Sequence, residues 1–243
     1  MRIVFVQSRN TENGNVAIED IREMVCRHSL PDDLWILPEV FDTGWNLRPG
    51  ERIDGSANIT LFRQLAQGYG ISVCGSFYLA TDDGIRNRFY VVTSDGSEYF
   101  TDKRHLFGEF ERGNVVPGSE AVLTFPLNDI KFRVAVCYDL RFPVWCRNDK
   151  NDPYDVLLCV SQWPSSRQSD RTNLLAVRAL ENVAFTVNCN GVGSSMVHGP
   201  DGKLDFMMPA EPDVAFYELD RGRLREYRER HPYLDDADVF KIL

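Results

Sequence analysis

Short, unbroken apolar runs that stop on a polar residue constrain this chain more than any other feature. Val134-Ala135-Val136 reads as a strand buried on both faces, and Leu34-Trp35-Ile36-Leu37 and Asp155-Val156-Leu157-Leu158-Cys159-Val160 read as buried strands of the same kind. They hand on to Cys137, to Pro38-Glu39 and to Ser161-Gln162-Trp163-Pro164. Between them lie hairpin signals. Strands at 71–79, 88–93 and 98–102 are separated by Asp82-Asp83-Gly84 and Ser94-Asp95-Gly96-Ser97, and strands at 121–125 and 131–136 by Asn128-Asp129.

Helical spacing recurs around these strands. Ile18, Ile21, Met24 and Val25 form a stripe behind an Asn15 cap. Leu61, Phe62, Leu65 and Tyr69 form a second, with Gly70 placed to end it. Asp170 caps a third helix that runs to about Asn182, with Leu174, Leu175, Val177 and Leu180 expected inward, and Arg221 to Arg230 reads as a charged, solvent-facing helix. The first strand, helix and second strand suggest a crossover between parallel neighbours. Asn10-Thr11-Glu12-Asn13-Gly14 is turn chemistry. Residues 41–56, with Trp45, Pro49 and Gly50, read as a loop that walls a pocket or covers the core edge, and residues 103–120 as an irregular stretch lining a site. Strand hairpins interleaved with helices imply two sheets with helices outside, and no linker or repeat divides residues 1–243, so one α/β domain is expected.

The formal net charge of −9 argues against nucleic acid as the main partner, because phosphate binding needs a dense basic surface. The six cysteines include no Cys-x-x-Cys pair, and several sit in apolar runs, the pattern of reduced intracellular thiols rather than a disulfide framework or zinc site. No apolar stretch has transmembrane length, and the chain opens directly on a strand, Arg2 to Gln7, too promptly interrupted for a signal peptide. A cytoplasmic protein without metal, cofactor or membrane partner is the expectation.

Glu39, Lys103 and Cys137 each follow an expected strand. Strand ends are where open α/β sheets bind ligands, and an acid, a cation and a thiol supply a base, an oxyanion stabiliser and a nucleophile. Cys137 by itself reads as one more buried cysteine; the convergence of three strand ends is what gives it chemistry.

Leu37-Pro38-Glu39, Asp102-Lys103-Arg104-His105-Leu106-Phe107 and Cys137-Tyr138-Asp139-Leu140-Arg141-Phe142-Pro143 resemble the nitrilase/amidase superfamily of carbon–nitrogen hydrolases, and most closely its bacterial ω-amidase-like branch. The likeness runs through Leu224-Arg225-Glu226-Tyr227-Arg228-Glu229 to Asp236-Ala237-Asp238, essentially the whole chain. It implies a four-layer α-β-β-α sandwich and a homodimer packed through its sheets.

It also implies roles. Glu39 takes the Cys137 proton, Lys103 lowers the pKa of the thiol, and Lys103 with the Tyr138 backbone N–H holds the oxyanion of a small-molecule amide substrate. Glu39 then protonates ammonia and later activates water. Glu111, seven residues before Gly118, matches the second glutamate of the family best, with Glu109 competing for that place. Trp163 matches a pocket-wall aromatic or a plain core residue. Asp139 and Arg141 are expected to brace the turn, and Arg178 with Glu181 to form a structural pair. His105 invites a Cys–His dyad, but with Glu39 as proton carrier it reads as structural. His28, His198 and His231 show no metal-ligand spacing, and Gly191-Val192-Gly193 lacks the surroundings of a nucleotide-binding loop.

Close relatives of the ω-amidase type tend to carry histidine and tryptophan where this chain has Asp170 and Arg171, and Asn-Arg-Val-Gly where it has Asn190-Gly191-Val192-Gly193. The expected substrates are ω-amides of dicarboxylates such as 2-oxoglutaramate and 2-oxosuccinamate, with Arg112, Arg167 or Arg171 meeting the carboxylate. An N-carbamoyl amino acid hydrolase is the alternative within the fold. From other classes, an inactive scaffold would need none of Glu39, Lys103 and Cys137, and a redox-sensing thiol leaves Glu39 and Lys103 unexplained.

Overall fold

In the first strand, β1 (Arg2–Val6), Ile3 and Phe5 belong to one apolar cluster and Val4 and Val6 to another. That alternation, repeated along other strands, sorts the core into layers. The computed structural model describes residues 1–8, 14–44, 53–119, 121–208 and 213–239. Residues 10–13 of the turn expected over 10–14, and the loop residues Trp45, Pro49 and Gly50, lie outside them.

Helix α1 (Ile18–His28), β2 (Leu34–Ile36), α2 (Ser56–Tyr69), β3 (Ser72–Thr81), β4 (Gly84–Val92), β5 (Glu98–Asp102) and α3 (Gly108–Asn114) make up the first half. The second half comprises β6 (Thr124–Leu127), β7 (Ile130–Val136), α4 (Pro143–Cys146), β8 (Val156–Ser161), α5 (Gln168–Asn182), β9 (Phe185–Asn190), β10 (Met196–His198), β11 (Leu204–Met207), β12 (Val214–Glu218) and α6 (Arg221–Arg230). One sheet runs β12-β1-β2-β3-β4-β5 and the other β11-β10-β9-β8-β7-β6. The expected parallel pair is β1 with β2, and the last strand closes the first sheet antiparallel to β1.

Ile3, Phe5, Leu34 and Ile36 of the first sheet meet Val134, Val136, Leu158 and Val160 of the second in the middle layer. The opposite faces of the same strands carry Val4, Trp35 and Leu37 against Ile21, Val25, Phe62 and Leu65 of α1 and α2. On the far side, Ala135, Leu157 and Cys159 meet Leu175 of α5 and Trp145 of α4. Three apolar layers between four layers of elements make the α-β-β-α sandwich. Each fully buried Val, Leu, Ile or Phe contributes about 1.5–3 kcal/mol.

Several local expectations yield to tertiary context. Ala17, not Asn15, occupies the α1 N-cap, and no side chain caps it. The stretch after Lys103 is not irregular throughout, because it holds α3, a single short helix with no apolar stripe to announce it. Asp170 lies inside the first turn of α5 rather than at its cap. The inward face of α5 is Arg171, Leu175, Arg178, Ala179 and Asn182, while Val177 and Leu180 are about half exposed at 48% and 47%. Helical period fixes which residues share a face, but here the buried face is the one whose guanidinium groups find carbonyl partners. The turn between β6 and β7 follows its sequence: Asn128 and Asp129 both adopt positive φ, as a two-residue hairpin requires.

Candidate active site

Two sharp turns, one on each sheet, bring the Glu39 carboxyl and the Cys137 thiol together. After β2 the chain passes Pro38 and Glu39 to Val40, whose φ is 42°, rare for a β-branched residue. Its N–H is held by Ser76 Oγ at 3.1 Å, and the N–H of Phe41 by the Ser76 carbonyl at 3.1 Å, so β3 enforces the turn. After β7, Cys137 has a φ of 48° and opens a tight 3-10 turn, Cys137–Arg141. Conformations of this kind cost about 1–3 kcal/mol each and persist where the surroundings over-determine them. Here Asp139 Oδ2 accepts from the Val136 N–H at 3.0 Å, and its Oδ1 accepts from the His105 N–H at 2.9 Å and meets His105 Nδ1 at 2.7 Å.

Asp139 thus braces the turn as expected, and His105, stacked on Phe142 at 3.6 Å, serves that brace. Arg141 does not. The second brace is Arg178 of α5, which donates Nε and Nη2 to the Leu140 carbonyl at 3.2 and 3.0 Å and pairs with Glu181 at 2.9 Å.

Lys103, directly after β5, is fully buried. Its Nζ donates to Glu39 Oε1 at 2.8 Å and to Glu111 Oε1 and Oε2 at 3.0 and 2.8 Å. Glu111 also accepts from the Phe107 N–H at 2.6 Å. Glu109 is exposed, whereas Glu111 is fully buried against Lys103. Asn87 of β4 adds a bridge that the sequence reading did not anticipate, donating Nδ2 to Glu39 Oε1 at 3.0 Å and to Glu111 Oε1 at 3.1 Å.

The Cys137 thiol faces the Glu39 carboxylate, whose Oε2 takes no nitrogen or oxygen donor among the described residues. Burial raises the Glu39 carboxyl above the ordinary carboxylate range; Lys103 opposes that and Glu111 adds to it. For Lys103, burial works downward, but Glu39, Cys137 and Glu111 hold the ammonium well above its usual range. Lys103 pulls the Cys137 thiol downward, the direction expected of it. Burial and Glu39 push Cys137 well above the usual thiol value, and the downward pull of Lys103 does not offset them.

Above Cys137 opens a cavity of about 520 Å³, walled by Phe107, Tyr138, Trp163, Arg141 and Arg167, with Val192 and Gly193 at its side. Trp163 is buried and fixed by Asn190, whose side chain accepts from the Trp163 N–H at 2.7 Å and donates to the Trp163 and Val192 carbonyls at 3.0 and 2.8 Å. Arg141 lies 4.9 Å over the Trp163 ring, and Arg141 and Arg167 both reach Asp170 Oδ2, at 3.0 and 2.9 Å. Of the three arginines expected to meet a substrate carboxylate, only Arg167 lines the cavity. Arg171 is buried on Asn188 Oδ1 and the Ser194 carbonyl, both at 2.7 Å, and Arg112 is exposed on α3. Arg141 was not anticipated, because its position after Cys137 reads as part of the turn.

The carbon–nitrogen hydrolase family model matches residues 8–229. The omega-amidase YafV of Escherichia coli strain K12 is 35% identical over 222 residues, which cover 86% of each chain. The 2-oxoglutaramate amidase of Bacillus subtilis is 28% identical over 220 residues and 84% of each chain. Among solved structures, XC1258 from Xanthomonas campestris, a CN-hydrolase superfamily protein with an arsenic adduct in its active site, matches with a TM-score of 0.90. It is 30% identical, over 100% of this chain and 98% of that one.

Proposed function

The chain belongs to the carbon–nitrogen hydrolase family and hydrolyses amides, and from that premise we propose that it is an ω-amidase acting through a cysteine thioester on monoamides of small dicarboxylates. The observation that carries this reading is one constellation: the buried Glu39–Lys103 pair beneath Cys137, opening to a cavity whose rim holds Arg141 and Arg167.

In the first step the Cys137 thiol passes its proton to Glu39 as sulfur attacks the amide carbon. The resulting carbonyl oxyanion is held by Lys103 and the Tyr138 backbone N–H, contacts whose loss typically costs about 10²–10³ in rate. Glu39 then passes its proton to the amide nitrogen, the carbon–nitrogen bond breaks, and ammonia leaves a thioester on Cys137. Water, deprotonated by Glu39, attacks that thioester; the acid departs and the thiol is restored. Glu111 keeps Lys103 in place and moves no proton. Trp163 and the Tyr138 ring wall the substrate.

A carboxylate remote from the amide is recognised by Arg141 and Arg167, in exchange for part of their hold on Asp170. The same pair suits the carboxylate of an N-carbamoyl amino acid, which makes that class the second reading. The test is ammonia release from 2-oxoglutaramate, 2-oxosuccinamate, N-carbamoyl amino acids and neutral aliphatic amides by wild type and Cys137→Ala. Release from the 2-oxo ω-amides that depends on Cys137 supports the reading. Release of ammonia with carbon dioxide, from carbamoyl compounds alone, promotes the second.

The reading includes a homodimer. It comes from the family resemblance, and sedimentation measures it.

A further inference from the structure

Gln162 follows β8, and its two ends look toward different sheets. Its backbone N–H faces the Cys137 thiol, where it favours the thiolate. Its side chain, buried with the residue only 4% exposed, donates Nε2 to the Glu39 carbonyl at 2.7 Å and to the Gly14 carbonyl at 3.1 Å. The Glu39 carbonyl belongs to the peptide entering Val40, so this hydrogen bond fixes the plane on which the left-handed turn hinges.

The slot is built from two missing side chains. A Cβ on Gly14 would stand 2.2 Å from Gln162 Oε1, and one on Gly191 would stand 2.4 Å from both Oε1 and Nε2. Gln162 Oε1 is meanwhile buried with no hydrogen-bond partner among the described residues. Leaving a buried acceptor unpaired is unfavourable, so the amide is held there for what its nitrogen does.

Glu39 sits on one sheet and Cys137 on the other, and the layer between them is apolar. Apolar contact is non-directional and sets no register to a fraction of an ångström. We infer that Gln162 is a positioning residue that holds the Glu39 main chain in register with Cys137 across the two sheets. This rests on the reading of Glu39 as base and Cys137 as nucleophile, and it adds a residue to which that reading gives no part.

The test compares Gln162→Ala, Gln162→Glu, Gly191→Ala and the double variant Gln162→Ala/Gly191→Ala with wild type on an ω-amide. Gln162→Ala and Gly191→Ala, the latter by displacing the Gln162 amide, each lower kcat by about 10- to 100-fold with KM little changed, the scale of a 1 Å misplacement. In the double variant the added methyl enters the vacated slot, so its kcat matches that of Gln162→Ala. Gln162→Glu sets a carboxylate against two carbonyl oxygens. Its kcat relative to wild type therefore rises as pH falls and the carboxyl gains a proton to donate, which simple packing would not produce.

A folded Gln162→Ala enzyme with wild-type kcat and pH profile overturns the inference, as does a double variant in which the two losses multiply. Gly191→Ala and Gln162→Glu carry the test if Gln162→Ala does not fold. Cys137→Ala and Glu39→Gln run beside them: wild-type kcat in either sinks the catalytic reading and the inference with it. If both are impaired by about 10²-fold or more while the Gln162 variants behave as wild type, only the role of Gln162 falls.

Discussion

Lys103 and Glu39 form an ion pair 2.8 Å long in which neither side chain has any solvent exposure. Desolvating such a pair is repaid only when further hydrogen bonds satisfy both partners, and Glu111 and Asn87 supply them.

Removing the cation therefore costs stability as well as activity. Lys103→Met should lose about 3–5 kcal/mol, the usual cost of leaving a buried charge unpaired. The sign of its pH dependence follows from Glu39, whose carboxyl burial already raises in the folded state. A carboxyl raised on folding favours the folded state while protonated and loses that contribution as pH rises through its folded pKa. Without Lys103 to oppose it, the rise is larger. Urea denaturation should show the deficit to be smaller at about pH 5 than at about pH 8; a deficit that shrinks toward alkaline pH would contradict the assignment.

Asn87 separates two carboxylates that would otherwise face one cation alone. Asn87→Asp puts a third carboxylate beside Glu39 and Glu111, whereas Asn87→Ala only removes a donor. The aspartate variant should be the less stable and less active of the two near neutral pH. The gap should close on acidification as the added carboxyl is neutralised. Thermal melts and kcat measured across pH for the pair decide it.

In the proposed mechanism Glu39 must be ionised to take the thiol proton, and burial holds its carboxyl above the ordinary range. The acid limb of kcat/KM should accordingly fall off at a higher pH than a solvated glutamate, with a pKa of about 4.3, would give. Glu39→Gln should abolish that limb and lower kcat by about 10²–10⁴. A limb at the ordinary glutamate value would assign the proton to another group.

At the cavity rim, Arg141 and Arg167 share one oxygen of Asp170. Arg141→Met and Arg167→Met should each raise KM for a 2-oxo ω-amide by about tenfold or more, the worth of a charge-assisted hydrogen bond, and leave neutral amides nearly unchanged. Asp170→Asn should lower KM for the same anionic substrates, since it frees both guanidinium groups. Equal effects on neutral and anionic amides would remove these arginines from substrate recognition.

Gly118 approaches β5 too closely for a side chain. A Cβ there would lie 2.0 Å from the Asp102 carbonyl oxygen, and the Gly118 N–H donates to the Lys103 carbonyl at 2.9 Å. Gly118→Ala should lower the melting temperature and, by shifting the Lys103 backbone, lower kcat more than it raises KM. Retention of both by the purified variant would show that the loop adjusts without moving Lys103.

Glu39, Lys103 and Cys137 were legible in the sequence for a local reason. Each stands where a strand pattern stops, and a strand end is a feature of a few consecutive residues. The same is true of the Asn128-Asp129 hairpin, and of α2, where Gly70 adopts the left-handed conformation that ends the helix. The sandwich followed because alternating side chains on β1, β2, β7 and β8 must bury both faces. The protein family followed from three motifs spaced along the chain.

What local pattern does not carry is direction. Helical period grouped Arg171, Leu175 and Arg178 on one side of α5 without saying that this side faces the interior; the Leu140, Ser194 and Asn188 oxygens decided that. Arg141, two residues after Asp139, turned to the cavity because Asp170 and the Trp163 ring wait there. Asn87 and Gln162 gained their partners from residues as far as 48 and 148 positions away. The net effect on the Cys137 thiol depended on how deeply it is buried, which the sequence could not state. Chain-local sterics and hydrophobic period determined the elements and the fold; the orientation, pairing and desolvation of the polar side chains were decided only where distant segments met.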